Sequence, residues 1–306
     1  MGKIKITGLF CLFLFCINSS AQDEPQQANE KKPVQIFSSE KAINANTPQT
    51  VGKGKMAFKV SHNFGDIAGS AGGIKNFFGL DNSTDVRIGF QIGLGKNFDA
   101  IIARAKGAGP QQRLFELGLK YRFMEQIEND PSHPLAIALF ANSTIATNTA
   151  NPFPDQDNSY GGFSDRITSV LQLIIARKLG KVSLQLNPTF LTRGYAISYD
   201  QKNIFALGGA IRLPLITNRL NLMVDYFHPF RSQASKDSFS VNDNINFYDP
   251  LGIGFEILTS GHTFRLNFTN ATEILENRFI PRTISSWGKG QFRWGFTISR
   301  QFTLWR

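Results

Sequence analysis

The chain has 306 residues, of which 42% are hydrophobic, 12% aromatic and 18% charged, with a formal net charge of +10. That apolar and aromatic content excludes a disordered protein, and a mean hydropathy of −0.17 excludes a bundle of apolar helices each about 20 residues long. A membrane β-barrel survives, because only alternate residues of its strands face lipid, while the charge suits nucleic acid, an anionic ligand or an acidic surface.

In chain order, residues 1–21 have the pattern of a signal peptide. Lys3 and Lys5 precede an apolar core from Leu9 to Ile17, and the small residues Ser19, Ser20 and Ala21 place cleavage between Ala21 and Gln22. Cys11 and Cys16 both lie in this leader and read as apolar fillers. The mature chain then offers no thiol for a disulfide, a zinc ligand or a nucleophile. Export also argues against nucleic acid as a partner. Residues 22–50 are rich in Gln, Glu, Lys, Asn and Pro without sustained periodicity, and read as a flexible periplasmic N-terminal segment. Residues 51–306 are expected to form an outer-membrane barrel domain.

From Lys55 onward the chain alternates with period two, the signature of strands whose two faces differ. The predicted strands are 55–64, 84–94, 97–106, 112–123, 134–146, 164–177, 181–192, 203–214, 219–229, 249–258, 262–270 and 290–303. In the third, Ile101 and Ile102 interrupt the alternation. Most segments have the length a tilted strand needs to cross a bilayer, about 9–11 residues. Connections after odd-numbered segments are mostly long. Those after even-numbered segments are mostly short, with turn chemistry at Gly95-Lys96-Asn97, Leu179-Gly180-Lys181, Thr217-Asn218 and Ser260-Gly261. The fold class is therefore all-β, a transmembrane up-and-down antiparallel β-barrel of about 12 strands and outer-membrane type. A soluble sandwich would bury its apolar faces. Here those faces are large and aromatic, and the opposite faces carry Gly, Thr, Gln, Arg and Lys, as expected of lipid outside and lumen inside.

On that parity Lys59, Arg87, Lys120, Arg122, Arg166, Arg212, Arg265 and Arg293 point inward, against the acids Asp85, Glu116, Asp225 and Glu256. An excess of inward Arg and Lys favours anionic solutes. The same groups could instead fill the lumen with ion pairs. The first long loop, 65–83, has a Gly-rich run before Ile74-Lys75-Asn76-Phe77-Phe78 and reads as a short helix covering the barrel mouth. Loop 271–289 reads as a folded surface loop with Trp287 near the upper interface, or as a ligand-facing loop. Asp155, Asp157 and Asp165 match no complete calcium-loop pattern, and His62, His133, His228 and His262 have no metal-ligand spacing. Ser61 and His62 are adjacent and point to opposite faces of a strand, so no nucleophile–base pair is visible. No cofactor, metal site or catalytic residue is expected, nor an enzyme activity. Tyr121, Phe123, Tyr226, Phe227, Phe247, Tyr248, Phe292, Trp294, Phe302 and Trp305 fall near strand ends, where interfacial aromatic girdles sit.

Several blocks also resemble a known family. They are Val60-Ser61-His62-Asn63-Phe64-Gly65, Phe78-Gly79-Leu80-Asp81, Leu173-Ile174-Ile175-Ala176-Arg177-Lys178, Phe205-Ala206-Leu207-Gly208-Gly209, Gly261-His262-Thr263-Phe264-Arg265-Leu266-Asn267-Phe268-Thr269-Asn270, Ser286-Trp287-Gly288-Lys289-Gly290 and Gly295-Phe296-Thr297-Ile298-Ser299-Arg300. Together they resemble the uncharacterised Bacteroidota outer-membrane β-barrel family labelled domain of unknown function 5777, over roughly 36–306. The resemblance implies an integral barrel of the Gram-negative outer membrane and no particular activity. The expected function is a porin-like channel for small anionic solutes, in contact with outer-membrane lipid. The alternative is a non-conducting structural or adaptor barrel that reaches a periplasmic protein through residues 22–50.

Overall fold

The structure, a computed structural model, describes residues 32–107, 109–216 and 219–306. The leader, its expected cleavage point at Ala21 and Gln22, and the turn Thr217-Asn218 lie outside the described residues. Twelve strands form: β1 (Lys55–Asp66), β2 (Ser83–Gly93), β3 (Phe98–Gly107), β4 (Arg113–Met124), β5 (Ala136–Ala146), β6 (Ile167–Leu179), β7 (Val182–Arg193), β8 (Asn203–Pro214), β9 (Leu220–Phe230), β10 (Leu251–Leu258), β11 (Thr263–Thr269) and β12 (Arg293–Thr303). Each pairs antiparallel with its sequence neighbours. The pairing of β1 with β12, from Lys55 opposite Thr303 to Asp66 opposite Arg293, closes the barrel. Every predicted strand is present, with ends shifted by no more than about three residues.

The alternation has the expected consequence. Ile88, Phe90, Ile102, Leu117, Phe205, Phe255 and Leu266 form part of an exposed apolar exterior, while Lys59, Gln91, Glu116, Lys120, Gln185 and Glu256 are buried inside. The irregularity in β3 has a simple cause. Ile102 faces outward, whereas Ile101 faces inward and joins Ala138, Phe140 and Ile174 in a small apolar cluster inside the barrel. The girdle reading holds for exposed Tyr121, Phe123, Phe302 and Trp305. It fails for Phe227, which is fully buried inside against Phe279, and for Phe247, which packs on Phe239 and under the Arg231 guanidinium.

At one end of the barrel lie the turns 94–97, 125–135, 180–181 and 259–262, with Leu215, Ile216 and Arg219, together with both ends of the described chain. At the other lie 67–82, 109–112, 147–166, 194–202, 231–250 and 270–292, which marks that end as the outer one in barrels of this type. The loop after β1 forms a 3-10 turn at Ile74–Gly79. It does not cover the mouth as expected. Ile67 and Ala68 donate to the carbonyls of Phe292 and Gly290 beside β12, and Ile74, Phe77 and Phe78 stay exposed. The loop after β11 closes the mouth instead. Its short helix α2 (Glu276–Phe279, after α1 at Gln233–Asp243) is buried throughout. Trp287 stacks on Phe292 at 4.4 Å and donates its Nε1–H to the Leu251 carbonyl at 3.2 Å.

The larger correction concerns residues 22–50. Their described part, 32–50, does not remain flexible outside the barrel. Ile36 and Phe37 are 1% and 0% exposed, and Ala42, Ala45 and Thr47 are fully buried. The physical reason is mutual need. A wall rich in inward polar groups requires partners away from water, and the polar segment supplies them, while Ile36 and Phe37 find the inward apolar patch made by Ala176, Ala210, Met223 and their neighbours.

Candidate functional site: the occupied lumen

The N-terminal segment enters from the short-turn end. The Val34 N–H donates to the Gln126 carbonyl at 2.8 Å, and Pro33 forms an isolated antiparallel bridge with Ile127 in the turn after β4. The chain then rises as a hairpin. Lys41 bridges Asn46, the Ala42 N–H donates to the Ala45 carbonyl at 2.7 Å, and the Thr47 N–H donates to the Glu40 carbonyl at 3.2 Å. It descends to Val51, whose N–H donates to Asp99 Oδ2 at 3.0 Å, and joins β1. The return is tight. A Cβ on Gly93 would fall 1.8 Å from the Gly52 carbonyl oxygen, so only glycine fits there.

The tip is gripped by one carboxylate. Asp225 on β9 accepts the backbone N–H groups of Ile43, Asn44 and Ala45 at 3.1, 2.5 and 2.8 Å on Oδ2, and Asn44 Nδ2 at 3.0 Å on Oδ1. Charge-assisted bonds of this kind are about twice as strong as neutral ones. Lys120 on β4 donates from Nζ to the carbonyls of Glu40, Thr47 and Gln49 at 2.9, 3.0 and 3.3 Å. Arg265 on β11 donates to the carbonyls of Lys41 and Ala42. Lys59 on β1 pairs with Glu40 at 2.7 Å. Ser39 donates to Glu256 Oε1 at 2.6 Å, Ser183 to the Ile36 carbonyl at 2.5 Å, and Gln185 and Asn187 to the Asn46 carbonyl at 2.8 and 3.0 Å.

The remaining expected lumen charges sit as follows. Arg87 pairs with Glu116 at 2.7 Å across β2 and β4. Arg212 lies 3.8 Å from Glu256. Arg293 pairs with Asp66 at 2.5 Å near the outer end. Arg122 pairs with Glu125 at the short-turn mouth and also donates to Asn97 Oδ1 at 2.9 Å and to Gln49 Oε1 of the hairpin's descending arm at 3.4 Å. Arg166 precedes β6 rather than lining a strand. It donates to the carbonyls of Ala146 and Asn148 and lies over the Tyr160 ring at 4.7 Å. Asp85 pairs with Arg278 of α2 at 2.6 Å. The sequence count of excess positive charge omitted Glu40 and Glu276, which the hairpin and the outer loop bring into the lumen, and the backbone carbonyls that Lys120 and Arg265 use.

The two fillings meet. Glu276 of α2 pairs with Lys41 at 2.6 Å and accepts Asn46 Nδ2 at 3.0 Å, so the outer loop touches the hairpin tip. Between hairpin and wall, beside β1, β2 and β12, lies a cavity lined by Lys59, Asn63, Arg87, Glu116, Arg265 and Asn267 among others. It has room for only a few water molecules.

Other predicted features find separate places. Asp155 accepts from Ser198, Asp157 pairs with Arg282, and Asp165 accepts the N–H groups of Gly161 and Gly162, so the three acids do not converge. His62 faces outward and stacks parallel to Phe296. Its Nε2 lies 3.1 Å from Ser83 Oγ, a serine–histidine pair that sequence adjacency concealed. Its Nδ1 has no hydrogen-bond partner among the described residues.

A closed antiparallel barrel with an apolar exterior and a polar interior is a transmembrane barrel of outer-membrane type, porin-like in architecture. Residues 37–302 match the family described as membrane bound beta barrel domain (DUF5777), and the chain belongs to it. The match begins at Phe37, so it includes the hairpin. Among solved structures the chain resembles an outer-membrane channel from Pseudomonas putida F1, at 10% identity and a TM-score of 0.49 over 83% of this chain and 98% of that one. It also resembles the KdgM porin (8% identity, TM-score 0.45, 81% of this chain and 99% of that one) and the NanC porin (7% identity, TM-score 0.44, 81% and 100%). No curated protein matches the chain in sequence.

Proposed function

We propose that this protein is an outer-membrane channel closed at rest by its own N-terminal hairpin, and that small anionic solutes pass once residues 36–50 withdraw. The observation that carries this reading is the chemistry of the grip. Lys59, Lys120 and Arg265 spend their charge on Glu40 and on hairpin carbonyls. Withdrawal would return those cations to the lumen, where Arg and Lys favour anions. The test is planar-bilayer conductance of the mature chain against a variant lacking residues 22–50. The mature chain should be silent or nearly so, and the truncated barrel should conduct with anion preference. An open mature chain, or a cation-selective truncated one, would contradict the reading.

A second reading has its own support. Ile36 and Phe37 pack into a continuous apolar cluster with Ala176, Ala210, Met223 and Phe227, which suits a hairpin that never leaves. The barrel would then be a filled, non-conducting scaffold whose residues 22–32 engage a periplasmic protein. In that case no stimulus opens the mature chain, and deleting residues 22–32 abolishes capture of the partner while the barrel stays folded. Neither reading assigns the chain a catalytic role.

A further inference from the structure

Inside the barrel, the cations that hold the hairpin meet carboxylates or carbonyls. On the outside the position is different at one place. Arg104 and Lys106 on β3 and Arg113 on β4 all face outward and are exposed. Lys106 stands directly opposite Arg113 in the strand register, and Arg104 stands opposite Phe115, one step down the same face. Directly opposed side chains have their Cβ atoms about 5 Å apart and diagonal ones about 7–8 Å, so three cations share one small area. No carboxylate among the described residues pairs with any of them. Arg104 donates to Thr147 Oγ1 at 2.8 Å and lies 5.6 Å from the Phe115 ring centre.

Like charges directly opposite one another destabilise a strand pair. A counter-charge from outside the chain removes that penalty. Its source is indicated by position. β3 ends at Gly107 and β4 begins at Arg113, both at the outer end. The same face continues downward through exposed Ile102, Phe115 and Leu117 into the apolar exterior. The cluster therefore stands at the upper edge of the lipid-facing band. Long Arg and Lys side chains reach from such positions to the headgroup level, and Arg binds phosphate through two parallel hydrogen bonds.

We propose that Arg104, Lys106 and Arg113 form a binding site for the phosphate groups of outer-leaflet lipid. The site is continuous with the lipid-facing surface and separate from the lumen. It does not depend on whether the hairpin moves.

The experiment compares the mature protein with the variant Arg104→Gln/Lys106→Gln/Arg113→Gln. Both are refolded into phosphatidylcholine vesicles with and without diphosphoryl lipid A. Lipid A should raise the unfolding temperature of the parent and leave that of the variant unchanged. Native mass spectrometry should show lipid A retained at least about tenfold more weakly by the variant, since each cation near an anionic surface contributes a several-fold factor. Inorganic phosphate in place of lipid A should have no effect. In phosphatidylcholine alone, Lys106→Gln should unfold no lower than the parent, because it relieves the opposed pair, and this single variant serves where the triple one fails to refold. Equal lipid A gains in parent and variant would overturn the site. An equal gain from inorganic phosphate would overturn its assignment to lipid.

Discussion

The Asp225 carboxylate on β9 accepts the Ala45 N–H at 2.8 Å, across a sequence separation of 180 residues. The same oxygen also accepts from Ile43 and Asn44, so one wall residue holds the whole turn of the hairpin. Replacing it with alanine leaves three backbone donors without their acceptor. Hydrogen bonds to charged groups contribute about 1.5–3 kcal/mol each, and rearrangement recovers part of that. Asp225→Ala should therefore lose on the order of 3 kcal/mol, and Asp225→Asn less. Urea unfolding in vesicles, followed by tryptophan fluorescence, measures the loss. Protease cleavage within 36–50 should rise in parallel. Unchanged stability and protection would mean that the hairpin is held elsewhere.

The ion pair between Lys41 and Glu276 joins the hairpin to the outer loop. Glu276 is 1% exposed, and stranding one member of a buried pair is expensive, about 3–5 kcal/mol. Lys41 keeps some solvent contact, so Lys41→Met should leave Glu276 stranded and cost more than Glu276→Leu. The double variant should recover most of the loss, because two apolar groups of similar volume do not need each other's charge. A double-mutant cycle on unfolding free energy reads the coupling. Additive effects would show that hairpin and loop are independent.

These two contacts also show what the sequence could and could not reveal. Strand parity placed Lys59, Lys120, Arg212, Arg265, Glu116, Asp225 and Glu256 inside the barrel, because a period of two is a local property. The partner of Asp225 is not local. Nothing in the composition of 22–50 connects Ala45 to β9, and its polar run reads as loop whether it lies in water or in a polar lumen. Two signals were present. Ile36-Phe37 is an apolar pair that a solvated segment does not need, and an unbalanced set of inward cations demands acceptors. Ser83 and His62 were likewise hidden by register, since β1 and β2 meet only through a long connection.

A pH effect follows from the outer loop. Burial pushes the Glu273 carboxyl above the usual carboxylate range, and the Arg278 guanidinium only partly opposes this, with Asp85 adding to the rise and Arg282 to the fall. The folded state therefore binds this proton more tightly than the unfolded state. Its contribution to stability is complete below the unfolded value of about 4.3 and is lost as pH rises through the folded value. Glu273→Gln should remove that dependence and make the protein more stable at neutral pH, while Arg278 keeps Asp85 at 2.6 Å. The difference between parent and variant across a pH series isolates the effect from other carboxylates. A variant that is less stable at neutral pH would show that the charged form holds the loop.

The docking of α2 rests on the contact of Phe279 with Phe227, whose ring centres are 5.2 Å apart and steeply inclined. Phe227 reaches that position because Gly208 on β8 has no side chain. A Cβ there would fall 2.3 Å from the Phe227 ring, and the fully buried ring has little room to yield. Gly208→Ala should displace it, at a cost of about 1–3 kcal/mol for overpacking, and the displaced ring should carry Phe279 and the outer loop with it. In a background carrying Trp294→Phe and Trp305→Phe, Trp287 in that loop gives a local fluorescence signal, which should red-shift as its stacking on Phe292 loosens. Gly261→Ala is the control, because nothing lies within 4 Å of the Cβ it would add. If Gly208→Ala unfolds at the same urea concentration as the control, with Trp287 unmoved, then the Phe227–Phe279 contact does not anchor the loop that closes the mouth.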